Sequence, residues 1–191
     1  MKRRLFLASS SPRRAEILKH HHIPFTVIEN KLSSEILPET PHQIRYHLRK
    51  LAYEKAASSQ ADHRGLIVGV DTTVWIDNRI LGKPKDREEA REFLAYLSEK
   101  THFVTTGVCI IDTILNKTYK FTDTTEVRFL PLSKIDIQSY CTHYPVLDKA
   151  GGYAIQDHAQ TFVETIKGSY FNIVGLPIEK LLKFIRNYAI V

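Results

Sequence analysis

The chain has only two cysteines in 191 residues, Cys109 and Cys141, so no disulfide framework carries its fold and a reducing compartment suits it. No apolar run approaches the roughly 20 residues that a membrane-spanning helix needs. The start, "MKRRLFLASSSPRR", is basic, but its apolar part, Leu5 to Ala8, is too short for a signal peptide, and arginines stand where a cleavage site would fall. A cytoplasmic protein with no membrane partner is expected. Internal repeats, low-complexity tracts and linkers are missing too, so residues 1–191 read as a single domain. The sequence also lacks H-E-x-x-H, paired C-x-x-C, G-x-S-x-G and the G-x-x-x-x-G-K loop, which removes the best-marked metalloprotease, zinc, hydrolase-elbow and P-loop chemistries.

What is present is an ordinary globular composition, 43% hydrophobic and 25% charged, with a basic balance. Lys and Arg number 27 against 21 Asp and Glu, a formal charge of +6. That favours anionic partners: nucleic acid, phosphates or an acidic surface. The basic residues are spread along the chain and do not form a polybasic arm.

Hydrophobic periodicity and caps place the elements. Residues 4–8 read as a buried strand. Ser11 offers an N-cap and Pro12 the first position of a helix running to about His21. A second helix over 40–60 begins at "TPHQ", a capping box of Thr40 and Gln43, and its stripe is Ile44, Leu48, Leu51, Ala52 and Ala56. "LIVGV", 66–70, is a central strand, followed by a hairpin turned at Asp77-Asn78. Asp86 and Glu89 open a third helix with Ala90, Phe93, Leu94 and Leu97 on its stripe. Residues 102–113 and 118–130 form an antiparallel pair. A short helix capped by Ser133, a strand over 161–166 and a helix after Pro177 complete the chain. Interleaved helices and hairpins predict an α/β fold with a mixed sheet.

Several residues could carry chemistry. "LASSSPRR", Leu7 to Arg14, is strand, serine-rich loop and helix start, and a helix N-terminus with Ser9, Ser11, Arg13 and Arg14 suits a phosphate. Arginines in a first turn oppose the helix dipole, a poor choice unless an anion sits there; a solvated surface turn is the alternative. Lys55 falls mid-stripe on the second helix, either snorkelling or aimed into a cleft. Asp71 and Thr72 end the "LIVGV" strand, where α/β sheets bind ligands; the acid could hold a hard cation, act as a base, or only form a turn. Lys83 in "GKPKD" and Glu35 in an irregular segment are a second cation and a second carboxylate, or loop charges. "DKAGGYAIQ", Asp148 to Gln156, sets paired glycines beside Tyr153, which could stack or pack, and Gln156, which could read a base edge.

Seven blocks, "LASSSPRRAEIL", "LAYEKA", "GVDTTV", "LGKPKD", "THFVTTGV", "DKAGGYAIQ" and "GSYFNIVGLP", occur in this order. Together they resemble the Maf family of nucleoside triphosphate pyrophosphatases over Leu7 to Pro177. The resemblance implies a mixed α/β fold like that of the inosine triphosphatases, with two lobes around a cleft, usually as a homodimer. It implies hydrolysis of a nucleoside triphosphate to the monophosphate and pyrophosphate with a divalent metal, Mg²⁺ or Mn²⁺. On this reading Ser9, Ser11, Arg13 and Arg14 hold phosphates, as do Lys55 and Lys83 from the cleft walls. Asp71 accepts the proton and lies near the metal, and Glu35 assists the metal. Arg13, Thr72 and Gln156 match positions tied to substrate choice, and the "DKAGGYAIQ" form is similar to the dTTP- and UTP-directed subgroup.

Two rivals make different demands. A nucleic-acid-binding protein would use the arginines on backbone phosphates, but no helix-turn-helix, RRM or zinc module is recognisable and no stable nucleic-acid partner is expected. A regulatory protein that binds nucleotides without hydrolysis would not need Asp71.

Overall fold

The apolar run at 66–70 does not stop where its composition changes. In the computed structural model, which describes residues 2–30, 32, 40–186 and 188–190, it continues to Ile76 as one strand. In chain order the strands are β1 (Lys2–Arg3), β2 (Leu5–Ala8), β3 (Thr26–Ile28), β4 (Leu66–Ile76), β5 (Arg79–Leu81), β6 (Thr101–Asp112), β7 (Lys117–Phe129), β8 (Val163–Lys167) and β9 (Ala189–Ile190). The helices are α1 (Pro12–His20), α2 (Ile44–Ala57), α3 (Arg87–Leu97), α4 (Lys134–His143), α5 (Tyr170–Val174) and α6 (Ile178–Ile185).

Seven strands form one sheet in the order β3-β2-β4-β6-β7-β8, with β5 also on β4. β2 is parallel to β3 and β4, while β4/β6, β6/β7 and β7/β8 are antiparallel, so the sheet is mixed, as expected. β1 and β9 pair in parallel and bring the two ends of the chain together. Cys109 and Cys141 are both buried and unbridged. Among the described residues no helix is long and apolar enough to cross a membrane.

Side-chain alternation along β4 divides the core. Leu66, Val68 and Val70 face α1 and α6, where Leu18, Leu181 and Ile185 meet them. Ile67 faces α2 and packs with Ala52, Ala56 and Cys109. Beyond the middle of the strand, Val74 and Ile76 join a third cluster with Phe93 and Leu94 of α3, Tyr140 of α4 and Phe129 of β7.

Helix α2 sits unusually close to the sheet because two glycines make room for it. A methyl group at Gly69 would lie 2.0 Å from the Ala52 carbonyl oxygen, and one at Gly107 would lie 2.4 Å from the carbonyl carbon of Leu48. Gly107 is the registered partner of Asp71 across β4 and β6, so the groove runs beside that carboxylate.

Three local expectations need correction. The Thr40–Gln43 box does not form: Pro41–Gln43 is a 3-10 turn, Thr40 is extended and makes no side-chain cap bond, and α2 begins at Ile44. Pro41 still opens the turn, since its missing donor costs nothing at a helix start. Ser11 is likewise extended with no cap bond. At α3 the Asp86 carboxylate accepts from the Glu89 amide at 2.8 Å, as expected, but the Glu89 side chain returns to the Lys85 amide at 2.7 Å, one residue upstream of the position a standard box uses.

Replacing Gly69 by alanine should therefore destabilise the fold by about 3 kcal/mol or more through overpacking against the α2 backbone. Equilibrium denaturation of the variant beside wild type measures it; an unchanged midpoint would contradict the close docking of α2.

Candidate active site

The cleft exists because two strands share one edge of β4 without meeting. β2 pairs with β4 only as far as Ala8 opposite Gly69, and the antiparallel pairing with β5 starts only where its last residue, Leu81, lies opposite Val74. β6 covers the other edge throughout. Among the described residues, 70–73 have no strand partner on the shared edge. Asp71 thus lies in mid-strand, and not at a strand end as its sequence suggests; what ends there is the pairing with β2. The space left is a cleft of about 280 Å³.

Asp71 projects to the α2 side. Its Oδ1 accepts a 2.5 Å hydrogen bond from Lys55 Nζ, and each residue is 5% exposed. Lys55 therefore does not snorkel to solvent: the α2 stripe carries it into the cleft. Removing two charges from water is costly, and apolar residues of the same volume would pack here without that penalty. The pair makes chemical sense where a fixed carboxylate and a fixed cation are both wanted.

The serine loop supplies the next wall. Ser9 is buried, and its Oγ accepts from the Ser11 amide at 3.3 Å and from Arg14 Nη1 at 2.8 Å. Ser11, free of any capping bond, lines the cleft with Ser10 and Pro12. The two arginines then part company. Arg14 donates to the carbonyls of Gly175 (2.9 Å) and Val70 (3.1 Å), to Ser9 and to Thr72 Oγ1 (3.1 Å). It stitches the end of β2, the unpaired edge of β4 and the loop after α5 into one corner, so most of its donors are already engaged with protein. Gly175 takes φ of 119°, and a side chain there would meet Arg14 and Thr72. Arg13 instead turns toward the cleft mouth, 3.6 Å from Asp148. Partial burial works to raise the Asp148 pKa, but its hydrogen bond to Lys149 and the charges of Lys149 and Arg13 outweigh that and hold it below the ordinary carboxylate value.

The facing wall runs from Asp148 to Gln156. Gly151 and Gly152 both take φ of 72°, and the Gly151 amide donates to the Gly82 carbonyl at 3.0 Å, which seats the wall against the loop bearing Lys83. Lys83 and Gln156 are exposed along the cleft, while Tyr153, Ile155, Val74, Val104 and Val174 give it apolar surface. Charged and hydroxyl groups come from 9–14, α2 and β4, with Lys83, Asp148 and Lys149 added from the loops opposite; most of the apolar ones come from 153–155 and 173–174.

Ser9, Ser11, Arg13, Arg14, Lys55, Asp71, Thr72, Lys83 and Gln156 thus line one cleft. Glu35 lies outside the described residues. Sequence reasoning missed Asp148 as the partner of Arg13, Asn30 on the rim, and the carbonyls of Val70 and Gly175 as acceptors for Arg14. Only the acid next to Lys149 left a trace in the sequence; backbone carbonyls leave none. Among the described residues no cluster of three His, Cys, Asp or Glu side chains could by itself hold a metal ion. The Asp71 carboxylate in a cation-rich cleft still fits Mg²⁺ or Mn²⁺ chemistry, because such ions take one or two carboxylates and fill their shell with phosphate oxygens and water.

The Maf profile, described as Maf-like protein, matches residues 4–188. The chain belongs to the Maf family. This Maf-family chain is 41% identical over 186 residues to a protein of Clostridioides difficile named dTTP/UTP pyrophosphatase, covering 96% of this chain and 94% of that one. Proteins of the same name from Clostridium acetobutylicum (42%, covering 95% and 96%) and Aquifex aeolicus (41%, covering 96% and 94%) are similarly related. A nucleoside-triphosphatase / dITP/XTP pyrophosphatase structure from Mycobacterium abscessus overlaps 66% of the chain and 72% of its own at TM-score 0.41 and 13% identity, too loosely to bear on kinship.

The two arginines should separate in a stability measurement. Arg14→Ala strands several acceptors and should cost about 2–3 kcal/mol, a fall in Tm of roughly 4–12 °C for a chain of this size. Arg13→Ala removes only a partly exposed ion pair and should stay within about 0.5–1 kcal/mol. Equal losses from the two variants would refute the division of labour.

Proposed function

We propose that this Maf-family protein is a dTTP/UTP pyrophosphatase, which hydrolyses those nucleoside triphosphates to the monophosphate and pyrophosphate. The observation that carries the reading is the buried Lys55–Asp71 pair in a cleft rich in cations. Its relatives' names point the same way. A cleft of about 280 Å³ suits a mononucleotide and not a duplex, which weighs against a nucleic-acid-binding role.

A triphosphate brings about four negative charges, and phosphoryl transfer asks for positioning and charge neutralisation more than for covalent chemistry. Arg13, Lys83 and the hydroxyls of Ser9 and Ser11 hold the phosphates. On entry, the triphosphate displaces Asp148 as the partner of Arg13. Arg14 braces Thr72 and Ser9, so that its part in phosphate binding is largely to place those groups. Water attacks the α-phosphorus, a new P–O bond forms, the bond to the α–β bridging oxygen breaks, and pyrophosphate leaves. Asp71 takes the proton from the attacking water. Lys55 holds that carboxylate in place through its 2.5 Å hydrogen bond and adds positive charge where the phosphates gather. A divalent metal, Mg²⁺ or Mn²⁺, would rest against Asp71, with Glu35 as the second carboxylate, and would supply charge neutralisation and water activation. Thr72 and Gln156, from opposite walls, contribute to substrate choice. The family resemblance further implies a homodimer, which sedimentation equilibrium checks.

Asp71→Asn keeps the size of the side chain and removes its basicity. Pyrophosphate release from UTP in Mg²⁺ or Mn²⁺ should fall by at least about 100-fold while nucleotide binding persists. Near wild-type turnover by this variant would defeat the assignment, and a wild type inert across a panel of nucleoside triphosphates would defeat the function.

A further inference from the structure

The wall from Tyr153 to Gln156 is held from behind by groups that the chemistry above does not use. Tyr153 is 5% exposed, and its Oη lies 2.7 Å from Nε2 of His102, a fully buried residue of β6. The next residue is bound by a second phenol. The Ala154 amide donates to Tyr140 Oη at 3.0 Å, and that hydroxyl reaches the Ala154 carbonyl at 3.4 Å. Tyr140 belongs to α4 and is also buried. The wall is therefore tied to the sheet through one hydroxyl and to α4 through the other.

Aromatic packing stiffens both ties. Phe129 meets His102 edge-on at 4.7 Å and Tyr153 at 5.0 Å, and Phe162 meets Tyr140 at 5.1 Å. Neither tie is suited to proton transfer. Burial pushes His102 down to about 3, so the imidazole is neutral, and burial pushes both phenols above their ordinary range. A buried polar pair carries a desolvation cost that an apolar pair would avoid, so its effect here is on geometry. The groups assigned to the phosphates come from other elements: the 9–14 loop, α2 and, for Lys83, the loop after β5, which meets the wall at Gly151 and not at 153–156.

We infer that His102 and Tyr140 are positioning residues for substrate selection: through Tyr153 Oη and the Ala154 backbone they hold the 153–156 wall where the nucleoside is read, and they leave the triphosphate end untouched. The inference rests on the pyrophosphatase reading. A recognition wall must stay within about 0.5 Å of its working position to discriminate. Losing either tie leaves a buried group unpaired and lets the wall relax.

The test compares wild type with Tyr140→Phe, His102→Leu and His102→Gln, using UTP and GTP as substrates and UMP and inorganic pyrophosphate as inhibitors. Tyr140→Phe and His102→Leu should lower the UTP-to-GTP ratio of kcat/KM by about tenfold, chiefly through KM for UTP. Inhibition by UMP should weaken in step, while inhibition by pyrophosphate holds. His102→Gln, which can still hydrogen-bond the phenol, should recover much of the ratio. Ratios within about twofold of wild type in folded variants, or an equal weakening toward pyrophosphate and UMP, would overturn the inference. If Tyr140→Phe does not fold, the His102 pair decides alone. A wild type that releases no pyrophosphate from any triphosphate is a distinct result and overturns the functional reading instead.

Discussion

The close approach of α2 to the sheet is the constraint on which the site depends. Gly69 and Gly107 remove side chains from neighbouring strands just where Ala52, Ala56 and Leu48 press down. Only at that distance does Lys55 bring its ammonium within 2.5 Å of Asp71. Close packing and a buried ion pair are here one arrangement: the glycines set the separation, the separation sets the pair, and the pair puts a fixed negative charge inside a positive cleft. Protein interiors transmit such displacements because they are packed as densely as crystals.

The second constraint is topological. β4 is long enough to serve two partners on one edge, and they do not meet. The unpaired stretch between them would leave backbone groups without partners. Arg14 takes up part of that deficit by donating to the Val70 carbonyl, and in the same gesture ties in Ser9, Thr72 and Gly175. A residue whose charge suggests a ligand contact thus acts first on the protein itself. Its neighbour Arg13, one position earlier and turned about 100° around the helix, is the one that looks across the cleft.

Much of this was legible. The mid-stripe position of Lys55 left two readings, a snorkelling lysine or one aimed into a cleft, and the structure shows the second. The opposition of Arg13 and Arg14 to the helix dipole pointed to a bound anion; within the chain Arg13 meets Asp148 and Arg14 meets four protein oxygens, which the sequence did not foretell. The Ser133 cap and the Asp77-Asn78 turn follow local rules and formed as those rules require. Other features were not legible. Nothing local says that β4 runs through Asp71 to Ile76, because the change from a purely apolar run to an alternating one reflects a change of partners far away in sequence. Nor does any local signal pair His102 with Tyr153, 51 residues apart, or distinguish the role of Arg14 from that of Arg13.

By itself, then, the sequence determined which residues are chemically able to act, which faces of the helices are buried and, through seven ordered blocks, the family. These follow from residue chemistry, short-range periodicity and kinship, all properties of the linear chain. Only the tertiary structure decided where β2 stops against β4, how near α2 may lie, and which of two adjacent arginines is spent on the protein. Those are questions of register and separation between segments distant in the chain, and they are answered by packing.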